Sequence, residues 1–213
     1  MRWFQHPEAV PDFFPVVVWD ERLHLRSCEK DFVKEQTIRL IDAQTAAVGG
    51  DIAELGCFRG DLSVVINQYF AGSLYYIFDS FQGFREEDVD RDATLSNISG
   101  ELAKFRETSP ELVLGRLKHA ERVRIKKGFF PDTFDLYDVR FKFVHVDLNL
   151  YDPVYQALDI FWPRLISGGY IMVSDYFAPF YRGSHDAVDD WCRQHGVSVV
   201  PMADQYGSVV MGK

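Results

Sequence analysis

The sequence predicts an α/β protein: a mostly parallel seven-stranded sheet with an antiparallel strand at the C-terminal end and helices on both faces. Three observations predict it. Short apolar runs that read as strands alternate with stretches of helical periodicity along most of the chain. The last two apolar runs are joined too closely for a helical crossover, so they should pair antiparallel. The 213 residues suit a single domain spanning 1–213, a size that buries roughly 70% of its unfolded surface.

The elements follow in order. Met1 to Asp20 is rich in proline and aromatic residues and reads as an arm, with a lid over a pocket as the alternative. From Asp31 to Val48, Phe32, Val33, Ile38, Leu40 and Ile41 recur at helical spacing, so 1–50 is an arm followed by a helix stopped at Gly49-Gly50. Strands are expected at Asp51–Leu55, Leu74–Phe78, Val123–Lys127, Phe141–Val146 and Gly169–Val173, and helices at Asp61–Phe70, Pro153–Phe161 and Ser184–His195. Ser184 is the expected N-cap of the last helix. Val197–Met202 and Ser208–Met211 form the closing pair. Between the second and third strands lies an insertion, 85–120. It opens on the acidic stretch Glu86–Asp92 and continues as helices Leu95–Glu107 and Pro110–Ala120, the second capped by Ser109. Leaving from the carboxyl end of a strand, it is placed near the pocket of such a sheet.

Composition narrows the partners. Net charge is −9, from 23 Lys plus Arg against 32 Asp plus Glu, so a nucleic acid would be repelled and is not an expected partner. The short basic run Arg122–Lys127 reads as a strand. No apolar run approaches the ~18–20 residues that cross a bilayer, so no membrane partner is expected. Cys28, Cys57 and Cys192 have no zinc-like spacing, and with no signal-peptide pattern the reading is cytoplasmic. A homo-oligomer is compatible with all of this.

The strongest local pattern is Glu54-Leu55-Gly56-Cys57-Phe58-Arg59-Gly60, set between a strand and a helix. Glycines there allow a tight turn and close approach of a ligand. A dinucleotide fingerprint needs a glycine where Phe58 stands, so the E-x-G-x-x-x-G form suits a nucleoside without pyrophosphate. Asp79 follows ~20 residues on, at the end of the second strand, where a carboxylate accepts hydrogen bonds from ribose hydroxyls. Glu54, Gly56, Phe58, Gly60, Ser63, Asp79, Ser80, Phe130 and Asp147 form the expected nucleoside-binding set. Phe129 or Phe130 is placed to stack on the base, or to pack in the core.

Five motifs occur in order: Glu54 to Gly60, Phe78 to Phe84 (FDSFQGF), Lys127 to Thr133 (KGFFPDT), Val144 to Tyr151 (VHVDLNLY) and Gly168 to Tyr176 (GGYIMVSDY). Together, across 30–213, they resemble the macrocin-O-methyltransferase (TylF/MycF-like) family. The resemblance implies a Rossmann-like class I methyltransferase fold and S-adenosylmethionine as methyl donor. It implies further that the acceptor is a hydroxyl of a small molecule, a sugar or glycosylated natural product, with a magnesium ion bound.

Methyl transfer from a sulfonium to an alcohol requires alignment of acceptor and methyl, and removal of a proton. Magnesium can assist as a Lewis acid, held by carboxylates at strand ends. The family pattern there is D-x-D-x-Y and D-D-Y. Asp147 and Asp175 match as metal ligands. Asn149 stands where the resemblance puts the base, and Ser174, a weaker ligand, where it puts another acid. An amide accepts no proton at neutral pH, so the base is sought at His145, His185 or Asp147, with Asp152 a further candidate. Tyr151, Tyr176, Phe177 and Phe180 are placed to line an acceptor pocket, or to pack around a loop. Two other readings share the architecture: a nucleoside-binding scaffold without catalysis, favoured by Asn149 and Ser174, and a nicotinamide-dependent oxidoreductase, opposed by Phe58.

Overall fold

The computed structural model describes residues 28–91, 105–179 and 182–213. The expected arm at Met1–Asp20, most of the Leu95–Glu107 helix and Phe180 lie outside them. The strands are β1 (Asp51–Leu55), β2 (Tyr75–Asp79), β3 (Val123–Lys127), β4 (Phe141–Val146), β5 (Leu165–Val173), β6 (Val200–Pro201) and β7 (Val209–Gly212). The helices are α1 (Cys28–Thr45), α2 (Asp61–Tyr69), α3 (Glu86–Arg91), α4 (Pro110–Leu114), α5 (Tyr151–Phe161) and α6 (Gly183–His195). The seven strands form one sheet in the order β3-β2-β1-β4-β5-β7-β6. β1 to β5 pair in parallel, and β7 runs antiparallel to both β5 and β6. This is the predicted architecture.

Side chains alternate across a strand, and the central strands have apolar residues at nearly every position, so they fill a core on each face. Ala53, Leu55, Phe78, Val144, Val146, Ile171 and Val173 face one side and pack with α5 and α6. Ile52, Ile77, Phe143 and Met172 face the other and pack with Ile38 and Ile41 of α1 and Ile66 of α2. Within α1 the structure separates the apolar residues: Ile38 and Ile41 are buried, while Phe32 and Leu40 are exposed.

Several boundaries differ from expectation. The expected helix Pro110–Ala120 stops as α4 at Leu114, because Gly115, a weak helix former, follows and closes it. The expected strand Val197–Met202 shrinks to β6, whose Pro201 has no N–H to donate and sits exposed at the sheet edge. Ser184 is not an N-cap. The helix starts one residue earlier with Arg182 at the cap, and the Ser184 hydroxyl is buried without a partner among the described residues.

Candidate active site

In a sheet of this order the strand direction of travel reverses beside β1, and the loops leaving β1 and β4 diverge to open a crevice at the carboxyl ends. A cavity of about 1010 Å³ lies there. Its walls come from the loops after β1, β2, β3, β4 and β5 and from the β6–β7 turn.

The glycine loop is shaped by backbone crowding. Gly56 has φ 81°, and a Cβ on it would stand 2.1 Å from the carbonyl oxygen of Asp147, so only glycine lets β1 and β4 part this closely. Gly60, at φ 79°, starts α2 in the left-handed region. Phe58 between them is also left-handed, at φ 49°. This turn aims the N–H groups of Cys57 and Phe58 at Asp79 Oδ2, at 2.7 and 3.1 Å. Phe81 N–H donates to the other oxygen, Oδ1, at 2.7 Å. Asp79 therefore ties the β1 and β2 loops together while facing the cavity. Ser80 supports the same loop: its hydroxyl donates to the Gly83 carbonyl and accepts from Gln82 N–H.

The aromatic wall divides differently from the sequence reading. Phe130 is buried against Phe78, Phe134 and Phe161 and belongs mainly to the core. Phe129 is the half-buried ring of the pair, with the Arg85 guanidinium 5.0 Å from its centroid. Opposite stand Phe58, Phe105 and Phe84, edge to face at 5.5 and 5.1 Å. Tyr151, Tyr176 and Phe177 are not among the lining residues. Tyr151 stacks on Tyr155, Tyr176 donates to Asp189, and Phe177 is exposed.

Beneath the cavity a polar row crosses the sheet on the α1–α2 face. Glu54 of β1 is opposite His145 of β4, and both are fully buried. Glu54 Oε2 accepts from the hydroxyls of Ser63 and Tyr75, and Oε1 lies 3.2 Å from His145 Nδ1. His145 Nε2 is 2.8 Å from Ser174 Oγ, and Lys34 of α1 donates to that same oxygen at 3.0 Å. An ammonium only donates, so Ser174 accepts from Lys34 and has its own proton to give to Nε2; Nδ1–H then serves Glu54. Every member of the row is satisfied. Burial, then the Glu54 charge, pushes the Tyr75 phenol well up.

Ser63 and Ser174 are thus sealed in the row, not at the cavity surface, and Gly60 also lies behind it. His145 reaches the cavity wall, but both its nitrogens are engaged. The structure does not bring His185 to the cavity: its ring packs on Tyr176, with Nε2 3.6 Å from Asp189. Asp152 sits in the first turn of α5, away from the lining.

Asp147 and Asp175 do converge on the cavity with Asn149. Asp175 and Asn149 are held in the left-handed region, at φ 59° and 63°. Burial, then the neighbouring charge of Asp147, pushes the Asp175 carboxyl up to about 7, against the opposing pull of Lys34. Asn149 is 5% exposed, and its amide oxygen has no partner among the described residues.

Two residues here were not singled out from the sequence. Lys34 lies 140 positions from the Ser174 it bonds, and nothing local marks it. Asp204, in the β6–β7 turn, accepts from Ser208 N–H and Oγ and lies 3.6 Å from Lys34 Nζ. An acid three residues before a glycine, between the last two strands, was the available signal, and it reads first as turn chemistry.

Magnesium seeks about six hard oxygens in octahedral array. Of the four positions where the family pattern has acids, Asn149 offers an amide and Ser174 is committed to His145 and Lys34. The Lys34 ammonium stands 3.6 Å from Asp204 and its charge acts on Asp175. Among the described residues no group of three or more His, Cys, Asp or Glu side chains could hold a metal ion. With the Lys34 ammonium in place, the donor set does not fit magnesium.

Comparisons with known proteins identify relatives of this chain. A relative from Streptomyces olivaceus, 8-demethyl-8-(2,3-dimethoxy-alpha-L-rhamnosyl)-tetracenomycin-C 4'-O-methyltransferase, is 29% identical over 71% of this chain and 61% of its own length. The mycinamicin III 3''-O-methyltransferase of Micromonospora griseorubida is 27% identical over 71% of this chain and 63% of its own. The match thus spans about three-fifths of the length of these curated relatives. The solved structure of the O-methyltransferase NovP superposes with a TM-score of 0.68 at 24% identity, covering 85% of this chain and 79% of that one, and supports the fold. The model of the macrocin-O-methyltransferase (TylF) family matches residues 33–209, and the chain belongs to that family.

Proposed function

We propose that this protein is an S-adenosylmethionine-dependent O-methyltransferase acting on a sugar hydroxyl of a small natural product. The observation that carries this is the loop–acid pair, in which the turn from Gly56 to Gly60 is fastened to Asp79 at the mouth of a cavity large enough for a nucleoside and an acceptor together. Both relatives above are named as methyltransferases of such molecules. Their names lend no support to a scaffold without turnover. The dinucleotide reading is disfavoured by the same loop. The Cys57 and Phe58 N–H groups that would cradle a pyrophosphate are turned to Asp79 instead.

The residues fit a nucleoside sulfonium. Asp79 has one acceptor position beyond its three backbone donors, suited to a ribose hydroxyl, and Phe129 offers a half-buried face to the base. The sulfonium, when bound, supplies an electrophilic methyl group. Asp147, Asp175 and Asn149 then face the acceptor side. In this reading the Asn149 amide oxygen, which has no partner among the described residues, accepts from the acceptor hydroxyl and orients it. Asp147 is the carboxylate open to solvent, one-third exposed, and is the candidate to receive the proton. Phe58, Phe105 and Phe84 add an apolar surface to the same cavity.

The test is calorimetry with S-adenosylmethionine and S-adenosylhomocysteine, followed by labelled-methyl transfer to a panel of deoxysugar glycosides. Binding of both nucleosides, with label entering a glycoside hydroxyl, is expected. Absence of any binding heat would overturn the reading, and binding without turnover on any acceptor would favour the scaffold.

A further inference from the structure

The charges at the acceptor end do not balance through the family's usual acids alone. Asp147, Asp175 and Asp204 border one cavity, and among these residues the cation is the Lys34 ammonium. It is held, not merely nearby: Nζ donates to Ser174 Oγ at 3.0 Å and lies 3.6 Å from Asp204 Oδ2, with the side chain 13% exposed and that of Asp204 1%. Ser174 is fixed in turn by His145 and Glu54, and Asp204 by Ser208. Two built supports, one just past β5 and one in the β6–β7 turn, therefore hold one positive charge in the wall of the cavity that Asp147 and Asp175 also line, within electrostatic reach of Asp175. An ammonium and a divalent ion compete for such a place, because each needs the same oxygens and the two repel.

We propose that Lys34 is the resident cation of this site, a positioning residue that stands in for a divalent metal and makes methyl transfer independent of one. Ser174 then has a reason to replace an acid. A hydroxyl can accept from the ammonium and donate a hydrogen bond to His145 Nε2, whereas a second carboxylate would add a buried charge. The activity arm of the test rests on the methyl-transfer reading above; the ion arm does not.

Mn²⁺ is titrated into wild-type protein and into Lys34→Met, followed by calorimetry and by the electron-spin signal of the free ion, with folding checked by melting. The wild type is expected to leave millimolar Mn²⁺ free. Lys34→Met is expected to take up one ion per chain, an uptake lost when Asp147→Asn is added. Methyl transfer by the wild type should be unchanged by a chelator, and Lys34→Met should fall about 10²-fold, with partial recovery on adding Mg²⁺. Uptake of Mn²⁺ by the wild type that Asp147→Asn abolishes would overturn the proposal, as would a folded Lys34→Met that takes up none. Should Lys34→Met not fold, Lys34→Gln, which keeps a donor to Ser174, is titrated in its place with the same expected and overturning results. If no acceptor is ever methylated, the functional reading fails while the ion titration still reads.

Discussion

Asp79 shows how one side chain can serve both the fold and a ligand. Its carboxylate takes three backbone N–H groups, two from the β1 loop and one from its own. Asp79→Ala leaves those donors without their acceptor, so stability should fall by about 1–3 kcal/mol and the nucleoside should bind more weakly. Denaturant melts and calorimetry measure the two losses; a variant as stable as the wild type would show that the loop is held by other contacts. Asp175 carries the pH dependence. Unfolded, its carboxyl titrates near 3.8; folded, near 7. Between those values the folded chain keeps a proton that the unfolded chain has released, so this group's contribution is complete below about 4 and is lost as pH rises through about 7. Asp175→Asn removes that loss. Urea midpoints of the variant and the wild type should diverge from pH 5 to pH 8 in the variant's favour, and a constant offset would refute the assignment.

At the scale of elements, what fixes a boundary is the residue with a backbone constraint. Gly115 ends α4 and Pro201 holds β6 to the edge, where apolar content alone predicts longer segments. The start of α6 gives a direct test. As an N-cap, Ser184 would contribute about 1 kcal/mol, and Ser184→Ala would lose it. In the structure the hydroxyl is buried and unpaired, so Ser184→Ala should be neutral or gain up to about 1 kcal/mol. Thermal unfolding of this single variant separates the two. The insertion after β2 reaches the site through Asp88 of α3 and Phe105, which both line the cavity. Its acidic opening, Glu86 to Asp88, is the first turn of α3, where negative charge suits the helix end.

Over the whole molecule, the cavity joins loops from both halves of the sheet, so a ligand that fills it ties them together. Saturation with S-adenosylhomocysteine at about 100 times its dissociation constant should stabilise the fold by ~2.7 kcal/mol. For a domain of this size that is a rise of roughly 5–10 °C in melting temperature. A nicotinamide dinucleotide at the same concentration should produce none, and an equal rise with it would reopen the oxidoreductase reading. Among the described residues no helix is long and apolar enough to cross a membrane.

The succession of strands and helices along the chain, the doubly covered sheet and the glycine–acid pair were legible because they depend on local features: periodicity, turn residues, and a spacing of ~20 residues between a loop and the end of the next strand. Asp147 and Asp175 were legible because each falls just past an apolar run, at a position that matches the family pattern. The tertiary structure alone decided that His185 packs on Tyr176 outside the cavity lining, that His145 and Ser174 belong to a buried row, and that Lys34 reaches Ser174 and Asp204. Those facts depend on which strands are neighbours and how α1 lies across them. Contact between residues 140 positions apart leaves no periodic trace in a single chain.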